Sequence, residues 1–239
     1  METSLTDRPM LHGHGTVDMG IHPALVRFLE DTLTATFTTL ETGCGLSTVT
    51  FLKAGVRRHI AVCPAPEEFQ AVRDACVARG IPTGALTAVI QRSEDHLPEA
   101  DPSPLDLVLI DGEHAFPIPF VDWQYTADRL RVGGYMVVDD LQIPTGMLLA
   151  DFMDADPRWT RVLRTERFSV HQKVGQPIGG YNWTAQPYLT ARSPAASLRV
   201  ELLVEAPGPG RFERAMARVL PWRLVQKPLL ARFNWPRRD

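Results

Sequence analysis

Three carboxylates, Asp111, Asp139 and Asp140, lie 28 and 29 residues apart, and each group follows a short apolar run. That separation is one strand-helix-strand repeat, so neighbouring parallel strands would deliver all three to one rim. Carboxylates gathered there without a partner repel one another and raise each other's pKa. A hard divalent cation removes the conflict: oxygen ligands completed by water and a substrate oxygen suit Mg2+ or Mn2+, whereas zinc would call for His or Cys. Consecutive strand residues point to opposite faces, so Asp139 and Asp140 converge only where the chain leaves its strand, and Pro144 follows shortly. The competing reading is plain: Asp139 and Asp140 cap the next segment and Asp111 ends a strand. His114, three residues beyond Asp111, could take up a hydroxyl proton near neutral pH, contact a carboxylate, or be an ordinary surface histidine.

A second constellation is Glu41-Thr-Gly43-Cys-Gly45-Leu-Ser47-Thr48. Glycines let the backbone turn sharply and approach a ligand, and a helix opening here would offer unpaired N–H groups. Thr48 stands where a dinucleotide fingerprint needs its third glycine, so a pyrophosphate ligand is not favoured. An acid before the first glycine fits a ligand carrying an amine or ribose hydroxyls.

The elements that must position these groups follow from periodicity. A helix is expected over His22–Leu33, then strands at Thr36–Leu40, His59–Val62, Leu86–Ile90, Leu105–Ile110 and Tyr135–Val138. Helices are expected between them at Leu46–Ala54, Glu67–Arg79 and about Phe120–Leu130. Gly133-Gly134 is read as the turn into the strand before Asp139. A helix near Met147–Met153 and strand-like runs at Thr160–Arg164 and Phe168–Lys173 complete the series. This rhythm implies an α/β fold with an open, doubly wound, mostly parallel sheet, which binds ligands beyond the carboxyl ends of its strands.

The glycine turn, the run Leu105–Ile110 into Asp111-Gly112-Glu113-His114, and Leu130-Arg-Val-Gly-Gly-Tyr-Met-Val-Val-Asp-Asp140 together resemble the class I S-adenosylmethionine-dependent methyltransferases. The likeness spans residues 36–174 and is greatest to the small-molecule and sugar O-methyltransferases that use a divalent metal. It implies a seven-stranded Rossmann-like sheet with S-adenosylmethionine held by Glu41, Gly43, Gly45, Ser47, Thr48, Cys63, Ser93 and Asp111. It further implies a metal on Asp111, Asp139 and Asp140, with His114 and Asp111 catalytic, His114 standing where catechol-type enzymes carry a Lys base. One position departs from the pattern: the second strand ends in Cys63, where such enzymes carry an acid for the cofactor ribose, and a thiol is a poor acceptor. Glu67 or Glu68 could reach in, or both could be first-turn helix charges. Ser93 is expected at the adenine, or as a helix cap.

The function this implies is methyl transfer to a hydroxyl of a small metabolite or sugar. A non-catalytic S-adenosylmethionine-binding protein and a nicotinamide-dependent oxidoreductase are the alternatives, and the missing third glycine weighs against the latter. The 239 residues have a net charge of −3, divided between a tail (211–239) with eight basic residues against two acidic ones, and a body of −9. The tail aromatics Trp222, Phe233 and Trp235 are expected to pack on protein, leaving the arginines solvated, rather than to bind nucleic acid. Three cysteines without C-x-x-C spacing, no signal-like start and no long apolar run point to a soluble, cytoplasmic chain without a membrane span, able to form a homo-oligomer. The expected division is an N-terminal extension at 1–21 that could act as a lid, a catalytic domain at 22–175 and a C-terminal extension at 176–239. His12, His14 and His22 match no ligand spacing; Phe116–Phe120 could wall a substrate pocket, and Tyr181-Asn-Trp183 could join a lid.

Overall fold

The first helix begins where a proline can start one: Pro23 sits in the first turn of α1 (Pro23–Thr32), and His22 Nδ1 accepts the Ala24 N–H at 3.1 Å. A computed structural model describes residues 20–176 and 183–192, and the elements follow in the expected alternation. They are β1 (Thr38–Thr42), α2 (Leu46–Lys53), β2 (Arg58–Val62), α3 (Pro66–Ala78), β3 (Leu86–Val89), α4 (Ser93–His96) and β4 (Leu105–Ile110). After these come α5 (Ile118–Ala127), β5 (Leu130–Val138), α6 (Pro144–Asp154), β6 (Trp159–Arg164) and β7 (Ser169–Lys173). Separately, a short 3-10 turn, Trp183–Ala185, precedes α7 (Pro187–Arg192) in a stretch where the sequence suggests no element. The expected lid at the N-terminus and the basic tail lie outside the described residues.

The sheet order is β3-β2-β1-β4-β5-β7-β6, parallel from β3 through β5, with β7 antiparallel to both β5 and β6. The order reverses direction between β1 and β4, which are adjacent and parallel, and this switch point is where open α/β sheets bind ligands. Right-handed crossovers to either side of it place α2 and α3 on one face and α5 on the other. Leu25 and Leu29 of α1 and Phe51 of α2 pack on Leu107, Leu109, Val137 and Val170 of the sheet. Phe69, Val72 and Cys76 of α3 close over Ala61 and Cys63. Between α5 and α6, the Trp123 and Phe152 rings meet edge-on at 5.1 Å.

Three expectations are corrected. Strand β1 runs two residues further than Leu40, because Glu41 and Thr42 are fully buried and pair with β2 on one side and β4 on the other. Helix α5 starts at Ile118 rather than Phe120, so Pro119 stands in its first turn, where its missing N–H costs nothing. Gly133-Gly134 does not start a strand: β5 begins at Leu130, and its pairing with β4 slips between Leu105–Leu130 and Leu107–Tyr135. Gly133 bulges at φ 87°, and a Cβ on Gly134 would lie 2.8 Å from the Asp106 carbonyl oxygen.

Candidate active site

The glycine turn and the first of the three carboxylates meet at the switch point. Gly43 N–H donates to the Val62 carbonyl at 2.9 Å, and the Asp111 N–H donates to the Thr42 carbonyl at 3.2 Å, so β2, β1 and β4 end together. Gly43 has φ 92°, and a Cβ on it would stand 2.3 Å from the Asp111 carbonyl oxygen. Only glycine permits both this conformation and this approach.

Glu41 is fully buried at the end of β1. The Thr48 hydroxyl accepts the Gly45 N–H at 2.9 Å and donates to Glu41 Oε1, which joins the turn to the first turn of α2. His59 Nε2–H donates to the same oxygen at 2.9 Å, its Nδ1 lies 2.8 Å from Thr39 Oγ1, and its ring stacks on Phe51 at 4.3 Å. Glu41 Oε2 is buried with no hydrogen-bond partner among the described residues. Ser47 and Thr48 are buried in α2, whose first N–H groups lie beside the turn.

The thiol of Cys63, at the end of β2, donates to Glu68 Oε2 at 3.2 Å. Burial pushes this thiol up to about 12, with Glu68 and Glu41 adding to the rise and a backbone hydrogen bond from Ala65 opposing it. Ser93 is buried as the first residue of α4; Arg92, not Ser93, is the cap position, and it makes no side-chain cap bond. Beneath Ser93 lies a residue the sequence does not single out. Asp122 of α5 is fully buried beside the hydroxyls of Ser93 and Thr42, and neither of its oxygens completes a hydrogen bond. Burial raises its carboxyl to about 6, against the lowering influence of those hydroxyls. A single acid in the largely apolar helix α5 carries no spacing signal in sequence, and neither does His59 in an apolar strand.

At the neighbouring strand end, β5 terminates because Asp140 turns left-handed at φ 54°, which answers how two consecutive aspartates leave the strand. Gly146 of α6 fits against that turn: a Cβ there would lie 2.9 Å from the Asp140 carbonyl oxygen and 3.0 Å from that of Asp139. Asp140 Oδ2 lies 3.0 Å from His114 Nε2 and its Oδ1 is 3.6 Å from the Arg167 guanidinium. Among the described residues, ligand atoms of Asp111, His114 and Asp140 all fall within 4.8 Å of one another. Asp139, the expected third carboxylate, is outside this group: it is buried, and its Oδ1 accepts the Asp140 N–H at 2.9 Å. His114 takes its place.

The charges respond accordingly. Burial and then the charges of Asp139, Asp140 and Glu41 hold the Asp111 carboxyl well above the usual range. Burial likewise raises Asp139, with Asp140 adding to it. The hydrogen bond with His114 lowers Asp140, and the same bond raises His114. Phe116 of the expected pocket wall is largely exposed, while Phe120 packs edge-on against Phe116 and Phe152 at 6.2 and 5.9 Å.

A family model described as a methyltransferase domain matches residues 40–141, from β1 through the Asp139-Asp140 turn. Residues 40–141 carry a methyltransferase domain. Among curated proteins, none matches it in sequence. The methyltransferase domain is similar in fold to the cofactor-bound protein Rv0187 from MTB, with TM-score 0.56 and 18% identity over 66% of this chain and 83% of that one. It is also similar to the O-methyltransferase TomG from Streptomyces achromogenes, with TM-score 0.54 and 16% identity over 66% of this chain and 83% of that one. An rRNA methylase from Streptococcus thermophilus gives TM-score 0.51 and 16% identity over 64% of this chain and 95% of that one. At these identities the likeness is one of fold. Among the described residues, no helix is long and apolar enough to cross a membrane.

Proposed function

We propose that this methyltransferase transfers the methyl group of S-adenosylmethionine to a hydroxyl of a small metabolite or sugar, assisted by a divalent cation. The observation that carries the reading is the group Asp111, His114 and Asp140, placed directly beside the glycine turn at the switch point. TomG, described as an O-methyltransferase in complex with SAM, supports the reading by fold.

The residues suit both partners. Glycines at the turn and the N-terminus of α2 leave room and N–H donors for a small polar ligand, and the orphaned Glu41 Oε2 is an acceptor for an amine. Asp111 and Asp140 would hold Mg2+ or Mn2+ as oxygen ligands, with Asp139 adjacent as the third carboxylate. A divalent cation at these oxygens would act as a Lewis acid, lowering the pKa of a bound substrate hydroxyl. His114 then accepts that hydroxyl's proton at its ring, and Asp140, 3.0 Å from Nε2, stabilises the imidazolium that results. Rigid strand ends fix donor and acceptor in line, so positioning supplies much of the acceleration.

Turnover of labelled S-adenosylmethionine against a panel of hydroxylated small molecules tests this. Activity is expected to fall at least ~100-fold in excess chelator and to return with Mg2+ or Mn2+. Full activity in chelator would remove the cation, and absence of S-adenosylhomocysteine binding by calorimetry would remove the whole reading.

A further inference from the structure

In doubly wound nucleotide-binding sheets, the acid that accepts the ribose hydroxyls stands just beyond the second strand, about 20 residues after the glycine turn. Here that position is Cys63, 20 residues after Gly43, and the thiol is a weak acceptor. The structure shows what the chain places there. Pro64 and Pro66 bracket Ala65 and turn the chain directly from β2 into α3, so the first turn of the helix folds back over the strand end. Of its two acids, Glu67 is exposed, whereas Glu68 is half-buried with Oε2 3.2 Å from Cys63 Sγ. The Glu68 charge also reaches Cys44 within the glycine turn, so the carboxylate lies near the turn as well as at the strand end. Glu41, the other acid of the turn, has one oxygen committed to Thr48 and His59, which leaves the rim of β2 to Glu68.

We propose that Glu68, oriented by the Cys63 thiol, accepts the ribose hydroxyls of the S-adenosyl cosubstrate in place of a carboxylate at the end of β2. The assignment rests on the cosubstrate reading above and deepens it. It gives Cys63 a defined part: its S–H donor holds the glutamate at the strand end. A side chain reaching from a helix thus does what a shorter one on the strand would do, and the acid lies 25 residues after Gly43 instead of 20.

Calorimetric titration with S-adenosylhomocysteine and with its 2′,3′-dideoxyribose analogue separates the possibilities. The unaltered protein is expected to bind the natural ligand about 10- to 100-fold more tightly than the dideoxy analogue, the range for hydrogen bonds to a charged acceptor. Glu68→Gln is expected to lose that discrimination while binding the dideoxy analogue as before, which also reports an intact fold. Glu67→Gln should match the unaltered protein, and Cys63→Asp introduced into Glu68→Gln should restore the preference. If Glu68→Gln still binds S-adenosylhomocysteine tightly and still rejects the dideoxy analogue, Glu68 is not the ribose acceptor and the cosubstrate reading stands. If the unaltered protein binds neither ligand, the cosubstrate reading fails and this assignment with it.

Discussion

Gly43 concentrates two separate demands in one residue, a positive φ and an approach to the Asp111 carbonyl that leaves no room for a side chain. Gly55 makes the first demand without the second: its φ is 70°, and nothing lies within 4 Å of where its Cβ would be. Gly55→Ala is therefore expected to cost only the conformational penalty, about 1 kcal/mol, in urea denaturation. Gly43→Ala should cost about 3–5 kcal/mol, since backbone must move to relieve the clash, and should abolish S-adenosylhomocysteine binding. Equal losses at the two sites would show that the turn yields without disturbing β4. Sequence alone identifies Gly43 as a turn residue; the contact that makes it irreplaceable comes from Asp111, 68 positions away. The same holds for Asp140, whose left-handed turn and partnership with His114 depend on β5 lying next to β4. The ion-pair geometry also distinguishes two acids that spacing treats alike, since Asp140 lies 3.0 Å from His114 while Asp139 accepts a backbone N–H.

Helix α1 stands before the methyltransferase motifs, yet Leu25 and Leu29 are wholly buried against β4, β5 and β7, the strands whose ends carry Asp111 and the Asp139-Asp140 turn. Leu29→Ala should cost about 2–5 kcal/mol by leaving a cavity over Leu107 and Leu109. In the remaining folded protein, affinity for S-adenosylhomocysteine should be unchanged; a selective loss of affinity at full stability would contradict a purely supporting helix. Elements with clean periodicity were legible: Leu105–Ile110 is the strand expected, and the bounds of α2, α3, β2, β3, β6 and β7 shift by a residue or so at either end. The larger misplacements share one cause. Thr-Thr-Leu-Glu-Thr reads as a run becoming polar, but its polar groups pair with His59 and Asp106 on neighbouring strands and with Thr48 of α2, and all five residues are buried. At β5 the glycines signal a break, whereas pairing with β4 absorbs them as a bulge. Local pattern records the residue's own hydrophobicity and conformational range; it carries nothing about the partner that a neighbouring strand supplies.

Across the whole molecule, the same rim that builds the site buries Asp122 and Asp139, and burial of these acids makes the folded state favour protons. Asp122 gives the cleanest measure of that cost, because it lies apart from the Asp111, His114 and Asp140 group. Its folded pKa, about 6, stands above the ordinary value near 3.9 that it regains on unfolding, so between these two pH values the native state binds more protons than the unfolded chain. Stability must then fall as pH rises through that interval, and above about 6 the full cost is present, on the order of 2–3 kcal/mol at 1.36 kcal/mol per unit. Asp122→Asn keeps the side-chain shape and a carbonyl oxygen beside Ser93 and Thr42 while removing the charge. Its urea midpoint is expected to match the unaltered protein at pH 4 and to correspond to about 1–3 kcal/mol more stability at pH 8, with a flatter profile between. A variant less stable at pH 8 than the unaltered protein would mean that the ionised carboxylate is satisfied in the fold. In that case Asp122 would contribute an ionic tie between α5, the start of α4 and the end of β1, and would not be a strain the molecule carries for its site.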